Sequence, residues 1–204
     1  MQVETATTDH DGPGRRNGQP SGKPLHENGV VRRYFAKRTE FYKASPQFAR
    51  WIDAHAREYD LLHLHALFSF TTTMAARCAR RRGVPYVVRP LGTLEAWSLA
   101  QRRPWSKTLS LRLIEAPLLR SAAAVHFTSD SEARQAQALG IPVRGVVIPL
   151  GVDVPEVPPR RQPSAEFRVL FLSRLDPKKN IEGLLEAVAL LHERHPQLRL
   201  AVAG

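Results

Sequence analysis

A single cysteine, Cys78, stands among the 204 residues, so no internal disulfide can brace this fold. One unpaired thiol fits a reducing compartment, and a cytoplasmic location is expected. No apolar run reaches the roughly 18 residues that a membrane-spanning helix needs. The opening stretch, Met1 to Asp11, is polar and acidic and does not read as a secretory leader. Acidic residues are scarce. The 19 Asp and Glu face 30 Lys and Arg, for a formal net charge of +11 and a pI near 10.6. Such a balance draws anions: nucleic acid, lipid headgroups or phosphorylated small molecules. The excess is concentrated, because nine Lys and Arg between Arg77 and Arg112 face one acid, Glu95. That cluster lacks interleaved aromatics or a recognition motif, so nucleic acid is not the expected partner. It reads either as a solvated basic face or as a surface for an anionic membrane or acceptor.

What is present is a globular composition, 43% hydrophobic and 24% charged. Val3 to Thr8 reads as a short strand with nothing before it to pair with. Gly12 to Gly29 carries no hydrophobic period and reads as a long loop. From Pro46 the pattern becomes regular. Helices are expected over Pro46–Tyr59, Phe70–Arg82, Trp105–Arg120 and a stretch of about ten residues after Ser129. In the first, Phe48, Trp51, Ile52 and His55 share a face. In the third, Leu109, Leu113, Ile114 and Leu118 are expected to point inward despite Pro117. Ser69 is the expected cap of the second helix and Gly83 its stop. Ser129-Asp130-Ser131-Glu132 has capping-box spacing, with Gly140 as the stop.

Between these helices lie apolar strands at Asp60–His65, Val84–Pro90, Ala122–Thr128 and Val143–Ile148. Strands alternating with helices imply an α/β fold, a doubly wound parallel sheet covered on both faces. Pro149 to Pro163 is proline-rich and reads as a linker between two bodies. The rhythm then restarts with a strand over Phe167–Leu172, a helix over Asn180–His195 and a strand over Leu198–Ala203. One βαβ unit cannot bury both faces of a sheet, so the second body reads as incomplete.

The motif richest in chemistry runs from Phe171 to Asn180, where a strand gives way to a helix. Ligands of open parallel sheets bind outside the carboxyl ends of strands. A helix N-terminus there adds free N–H groups and a positive dipole end. Arg174 offers a planar fork for phosphate oxygens and Lys179 a compact charge. The bland alternative is a charged, solvated turn.

Taken with Ile148-Pro149-Leu150-Gly151-Val152-Asp153, this motif resembles the large group 1 (family 4) retaining glycosyltransferases, whose members face two Rossmann-like domains across a cleft (the GT-B fold). Three earlier segments agree with that resemblance. Asp60-Leu61-Leu62-His63-Leu64-His65 looks like the family's D-V-I-H-x-H strand, and Gly83-Val84-Pro85 like its G-x-P strand entry. Arg89-Pro90-Leu91-Gly92-Thr93-Leu94 looks like its cleft loop in exopolysaccharide and lipopolysaccharide enzymes. The resemblance implies two Rossmann-like domains, the first nearly complete and the second truncated. Residues 1–152 would form the acceptor-side domain, 153–165 the linker and 166–204 the start of the nucleotide-sugar domain. Arg174 and Lys179 would hold the donor diphosphate. His65, Arg89, Gly92 and Thr93 would line the acceptor side of the cleft. The donor would be UDP- or GDP-linked, the acceptor a glycan or lipid-linked chain, and transfer would retain configuration. Protein cations would replace a metal, and no cofactor is expected. Asp9-His10-Asp11 has metal-motif form but lies at the start of a loop.

Departures from the family pattern are specific. Its first strand and Gly-rich loop would precede Met1, and its E-x7-E carboxylates would follow Gly204. Leu91 stands where many members carry His, Ser173 and Asn180 replace glycines, and Leu150 replaces Asn. A non-catalytic remnant that keeps the N-terminal half is therefore the alternative function. An epimerase on the same fold is disfavoured for want of its acid and base groups. His63 and His65 share a strand face with no third metal ligand at usable spacing, and read as packing or acceptor-side groups. Trp97 and Trp105, flanking Gln101-Arg102-Arg103, read either as packed aromatics or as an interfacial anchor for peripheral membrane contact.

Overall fold

The computed structural model describes residues 2–100, 104–154, 156 and 166–204. Most of the expected linker, and Gln101-Arg102-Arg103, lie outside the described residues. The chain divides into two compact units, Met1–Gly151 and Val152–Gly204.

The first unit opens with β1 (Glu4–Thr8), β2 (Pro24–Glu27) and β3 (Val30–Phe35) in the order β1-β3-β2. The stretch from Gly12 to Gly29 is thus not wholly loop. Its last residues form β2, which pairs antiparallel with β3. The turn between them is Asn28-Gly29, both left-handed at φ 50° and 76°, the geometry that lets a two-residue hairpin follow strand twist. β1 finds its partner later in the chain, pairing in parallel with β3. Asp9, at the end of β1, is buried and accepts the Lys37 backbone N–H at 2.9 Å. It serves as a structural acceptor there.

Next comes α1 (Pro46–His55), whose Ser45 hydroxyl accepts the Phe48 N–H at 3.3 Å. The helix buries Phe48 and Ile52, with Trp51 and His55 partly covered. A parallel sheet follows in the order β4 (Leu62–His65), β5 (Tyr86–Arg89), β6 (Ala124–Phe127), β7 (Gly145–Val147). The connections are α2 (Phe70–Arg82), the run from α3 (Ala96–Ala100) to Ser121, and α6 (Asp130–Gln137). Side chains alternate along each strand, so one face carries Leu62, Leu64, Tyr86, Val88, Val125 and Phe127. These pack on Ala75, Ala76 and Ala79 of α2, on Leu118 and Leu119, and on Ala136 of α6. Full burial of side chains such as Val88 or Phe127 contributes about 1.5–3 kcal/mol each.

The expectation of a sheet covered on both faces holds for that face. On the other face His63, His65 and Val146 are exposed and Val87 and Arg89 half-buried. β4 therefore alternates rather than running continuously apolar.

Ser69 begins α2, but its hydroxyl pairs with Thr71 Oγ1 at 2.9 Å instead of capping a helix N–H. Gly83, at φ 71°, ends the helix as expected. The helix expected over Trp105–Arg120 is continuous but irregular: α4 (Pro104–Ser110), a π turn over Leu111–Glu115, then α5 (Ala116–Ser121). Ala116 N–H reaches back five residues to Leu111. Pro117 has no N–H to give and would crowd the carbonyl four residues before it, and the wider turn relieves both problems. The extra residue shifts the helix phase, so Leu118 and Leu119 are buried while Leu109 and Leu113 face outward at 53% and 67% exposure. The expectation that Leu109 and Leu113 point inward is thus corrected.

In the second unit β8 (Phe167–Leu172) pairs in parallel with β9 (Leu198–Ala203) through α7 (Ile181–His192). A 3-10 turn over Pro177–Lys179 precedes α7, which starts one residue later than expected because Asn180 is left-handed at φ 50°.

Candidate functional site

Three loops leave the carboxyl ends of β4, β5 and β6 in the first unit, the end of a parallel sheet where ligands bind. The first is tied down by backbone: Ala66 N–H bonds Arg89 O at 2.9 Å, and Thr72 Oγ1 donates to His65 O at 3.0 Å. It is strained, with Ala66 and Phe68 left-handed at φ 66° and 55°. The fully buried Glu115, in the π turn, accepts the Phe68 N–H at 3.1 Å and the Ser110 hydroxyl at 3.5 Å. Its second carboxylate oxygen has no partner among the described residues. Burial pushes its pKa up to about 7, and the two hydrogen bonds only partly offset that.

The second loop is Pro90-Leu91-Gly92-Thr93. Leu91 and Gly92 are consecutive left-handed residues at φ 59° and 70°. Thr93 Oγ1 donates to Pro90 O at 2.7 Å, closing the turn. The third loop begins at Thr128. Glu132, on the first turn of α6, is buried and joins these two loops. One oxygen accepts Gly92 N–H at 2.8 Å, and the other accepts Thr128 N–H at 2.8 Å and the Thr128 hydroxyl at 3.1 Å. The expected capping box is half made, since Ser129 Oγ accepts the Glu132 N–H at 3.2 Å but the carboxylate goes to other loops.

Sheet register places His65 opposite Arg89, and continuing it brings His126 of β6 beside Arg89. The histidine rings meet above the strands. His63 and His65 have centroids 4.5 Å apart, and His63 stacks on His126 at 5.5 Å. His126 Nδ1 lies 3.4 Å from His63 Nε2, and its Nε2 lies 2.9 Å from Ile148 O. Burial lowers the pKa of both His63 and His65. His65, His126 and Arg89 add to the effect at His63, as do Arg89 and His126 at His65. Arg89 Nε is buried and unpartnered among the described residues.

The sequence-predicted residues His65, Arg89, Gly92 and Thr93 are thus gathered at one end of one sheet. His126 was missed, because its 61-residue separation from His65 conceals a neighbourhood that only strand order creates. Among the described residues no group of three or more His, Cys, Asp or Glu is arranged to hold a metal ion.

In the second unit Arg174 and Lys179 both follow the carboxyl end of β8, where Ser173 N–H bonds Ala203 O at 3.0 Å. Asp176 Oδ1 accepts the Lys178 N–H at 3.0 Å and folds the chain into the turn that carries Lys179. Both cations are exposed, and neither side chain bonds another described residue.

Comparisons with known proteins bear on the family and the fold. Residues 1–151 match the glycosyl transferase 4-like domain and residues 156–204 match the glycosyl transferases group 1 domain. The chain belongs to the group 1 glycosyltransferase family. Among solved structures, sucrose-phosphate synthase from Thermosynechococcus elongatus superposes with TM-score 0.67 at 20% identity, over 100% of this chain and 52% of that one. Anabaena Alr3699/HepE in complex with UDP and glucose gives TM-score 0.60 at 20% identity, over 85% of this chain and 48% of that one. The chain therefore spans about half the length of these structures, which share its fold. No curated protein matches it.

Proposed function

We propose that the protein transfers a sugar from a UDP- or GDP-linked donor to a glycan or lipid-linked acceptor, with retention, in cell-surface polysaccharide synthesis. One observation carries this reading: Arg174 and Lys179 stand unpaired where β8 ends and α7 begins, in a chain of this family. As the glycosidic bond to the donor breaks, negative charge builds on the diphosphate oxygen that leaves. A guanidinium fork and an ammonium beside a helix N-terminus stabilise that charge more than they stabilise the intact donor. With two protein cations in that role, no metal or other cofactor is required.

The first unit would take the acceptor. With lowered pKa values, His63 and His65 are neutral imidazoles at neutral pH, each able to donate and accept a hydrogen bond to sugar hydroxyls. Arg89 adds a cation for an acceptor phosphate or carboxylate, and Gly92 and Thr93 form the closed turn beside it. The geometry assigns no catalytic group. The deciding experiment is UDP and GDP titration of the folded Arg174→Ala protein. Weakened nucleotide binding supports the reading, and unchanged affinity removes Arg174 from the donor site. A wild-type protein that binds nucleotide but transfers no sugar from any donor would favour a non-catalytic remnant instead.

Peripheral contact with an anionic membrane at its cytoplasmic face belongs to the same proposal. No helix among the described residues is long and apolar enough to cross a membrane. Trp105, Leu109 and Leu113 stand exposed at four-residue intervals, with the cationic Arg112 beside them. Sedimentation with phosphatidylglycerol vesicles, but not with phosphatidylcholine vesicles, is the expected result. Binding to neither removes the membrane from the proposal.

A further inference from the structure

Glu132 sits where local rules favour a capping box, three residues after the Ser129 that starts α6. In that arrangement its carboxylate would return to the Ser129 N–H. It bonds instead to Thr128 through backbone and hydroxyl, and across to the Gly92 N–H forty residues earlier. A bond that the helix alone favours has been exchanged for one that spans two strands.

The Gly92 turn needs such an anchor. Leu91 holds a left-handed conformation that an L-residue with a side chain adopts only when its surroundings compel it. Of this left-handed pair, Gly92 turns its N–H to the Glu132 carboxylate. The other side of the turn is closed as well: a Cβ at Gly92 would lie 3.0 Å from Glu95 Oε1. The turn is therefore held between two carboxylates, one through its N–H and one across its Cα. The Glu132 carboxylate is shielded from water, so its hydrogen bonds are charge-assisted and little weakened by solvent.

We propose that Glu132 is a positioning residue, which fixes the spacing between the β5 and β6 loops and thereby shapes the acceptor-side surface of the first unit. The proposal rests on the glycosyltransferase reading above for its kinetic consequence, but its structural core stands apart from it. Both carboxylate oxygens are in use, and Gln has one acceptor oxygen. Glu132→Gln keeps the volume and must release either Gly92 or Thr128. A side chain that only packed or only started α6 would tolerate that change.

Two readouts on the full-length protein decide the matter. By NMR, the Gly92 or the Thr128 amide of Glu132→Gln should exchange with solvent at least tenfold faster, while amides of β5 and β6 stay protected. In transfer from UDP-glucose or GDP-mannose to an alkyl glycoside, the acceptor KM should rise at least fivefold, with the nucleotide-sugar KM within twofold of wild type. Unchanged exchange at both amides, or unchanged acceptor KM in an active enzyme, overturns the proposal. If the wild type transfers nothing to the glycoside, the glycosyltransferase reading is in question, and the exchange result still decides whether Glu132 holds the loops. If Glu132→Gln does not fold, Glu132→Asp shortens the side chain that spans the two loops, and faster exchange at the Gly92 or the Thr128 amide replaces the first readout.

Discussion

The two units of this chain solve opposite problems with charge. In the first, carboxylates are buried and turned inward, each answered by backbone N–H groups of loops at the carboxyl ends of strands. In the second, Arg174 and Lys179 stand exposed after β8, and neither side chain bonds another described residue. The apolar residues differ in the same sense. Val88, Val125 and Phe127 are wholly enclosed, whereas Leu172, Leu175 and Leu190 are 66% to 78% exposed. A buried charge is tolerable only when hydrogen bonds replace its water, so it acts as a rigid staple. An exposed, unpaired charge costs little while it waits and is free to meet an anion. The first arrangement holds a shape, and the second leaves its cations open to solvent.

The largest test of this contrast falls on Glu115. Its side chain holds a proton up to about pH 7 in the folded protein, against an ordinary value of 4.5. Between those pH values the folded state binds more protons than the unfolded chain. Stability is therefore greatest below about pH 4.5, declines as pH rises toward 7, and is level above that. The shift corresponds to about 3 kcal/mol at most. Glu115→Gln keeps the bond from Phe68 and removes the titration. Thermal denaturation should show a gain at pH 8, none at pH 5, and a flatter slope between; an unchanged slope would mean that Glu115 is not the group responsible.

Arg174→Ala should come next, weakening nucleotide-sugar use about 100-fold in kcat/KM, since charge-assisted hydrogen bonds contribute about 1.5–3 kcal/mol. Its melting temperature should stay at the wild-type value, because the side chain is exposed and bonds no other described residue. Lys179→Ala, which removes a point charge without a fork, should lose roughly tenfold by the same assay. A mutant at either position that melts early would break the contrast between staple and receiver. The smallest effect is expected at Tyr86→Phe. The Tyr86 hydroxyl donates to Leu118 O at 2.6 Å across the core, and its loss should cost about 1 kcal/mol in denaturant unfolding.

Periodicity carried much of the fold. α2 was legible to the residue, because an apolar stripe begins after Ser69 and Gly83 supplies a left-handed stop. β8 and β9 were equally legible, as largely apolar runs on either side of a helical repeat. The hairpin of β2 and β3 was not read, although Asn28-Gly29 carried its signal, because Pro24–Glu27 is too polar to announce a strand. The facing of Leu109 and Leu113 could not be read from a regular repeat, since one added residue before Pro117 changes the phase of everything across it. The gathering of His65, Arg89, Gly92 and Thr93 was anticipated through motifs at strand ends. His126 and Glu115 were not, because nothing in their own neighbourhoods marks them, and Glu132 was read only as the end of a capping box.

The sequence by itself determined the alternation of strand and helix, the positions of the capping and stopping residues, and the placement of Arg174 and Lys179 after β8. Each of these depends on residues a few positions apart, whose spacing the chain enforces directly. Only the tertiary structure decided which buried carboxylate meets which amide, and that His126 stands with His63 beside Arg89. The pairings of Phe68 with Glu115, Gly92 with Glu132 and His63 with His126 join residues 40 to 63 positions apart. They exist because a parallel sheet places its carboxyl ends side by side, whatever length of helix lies between.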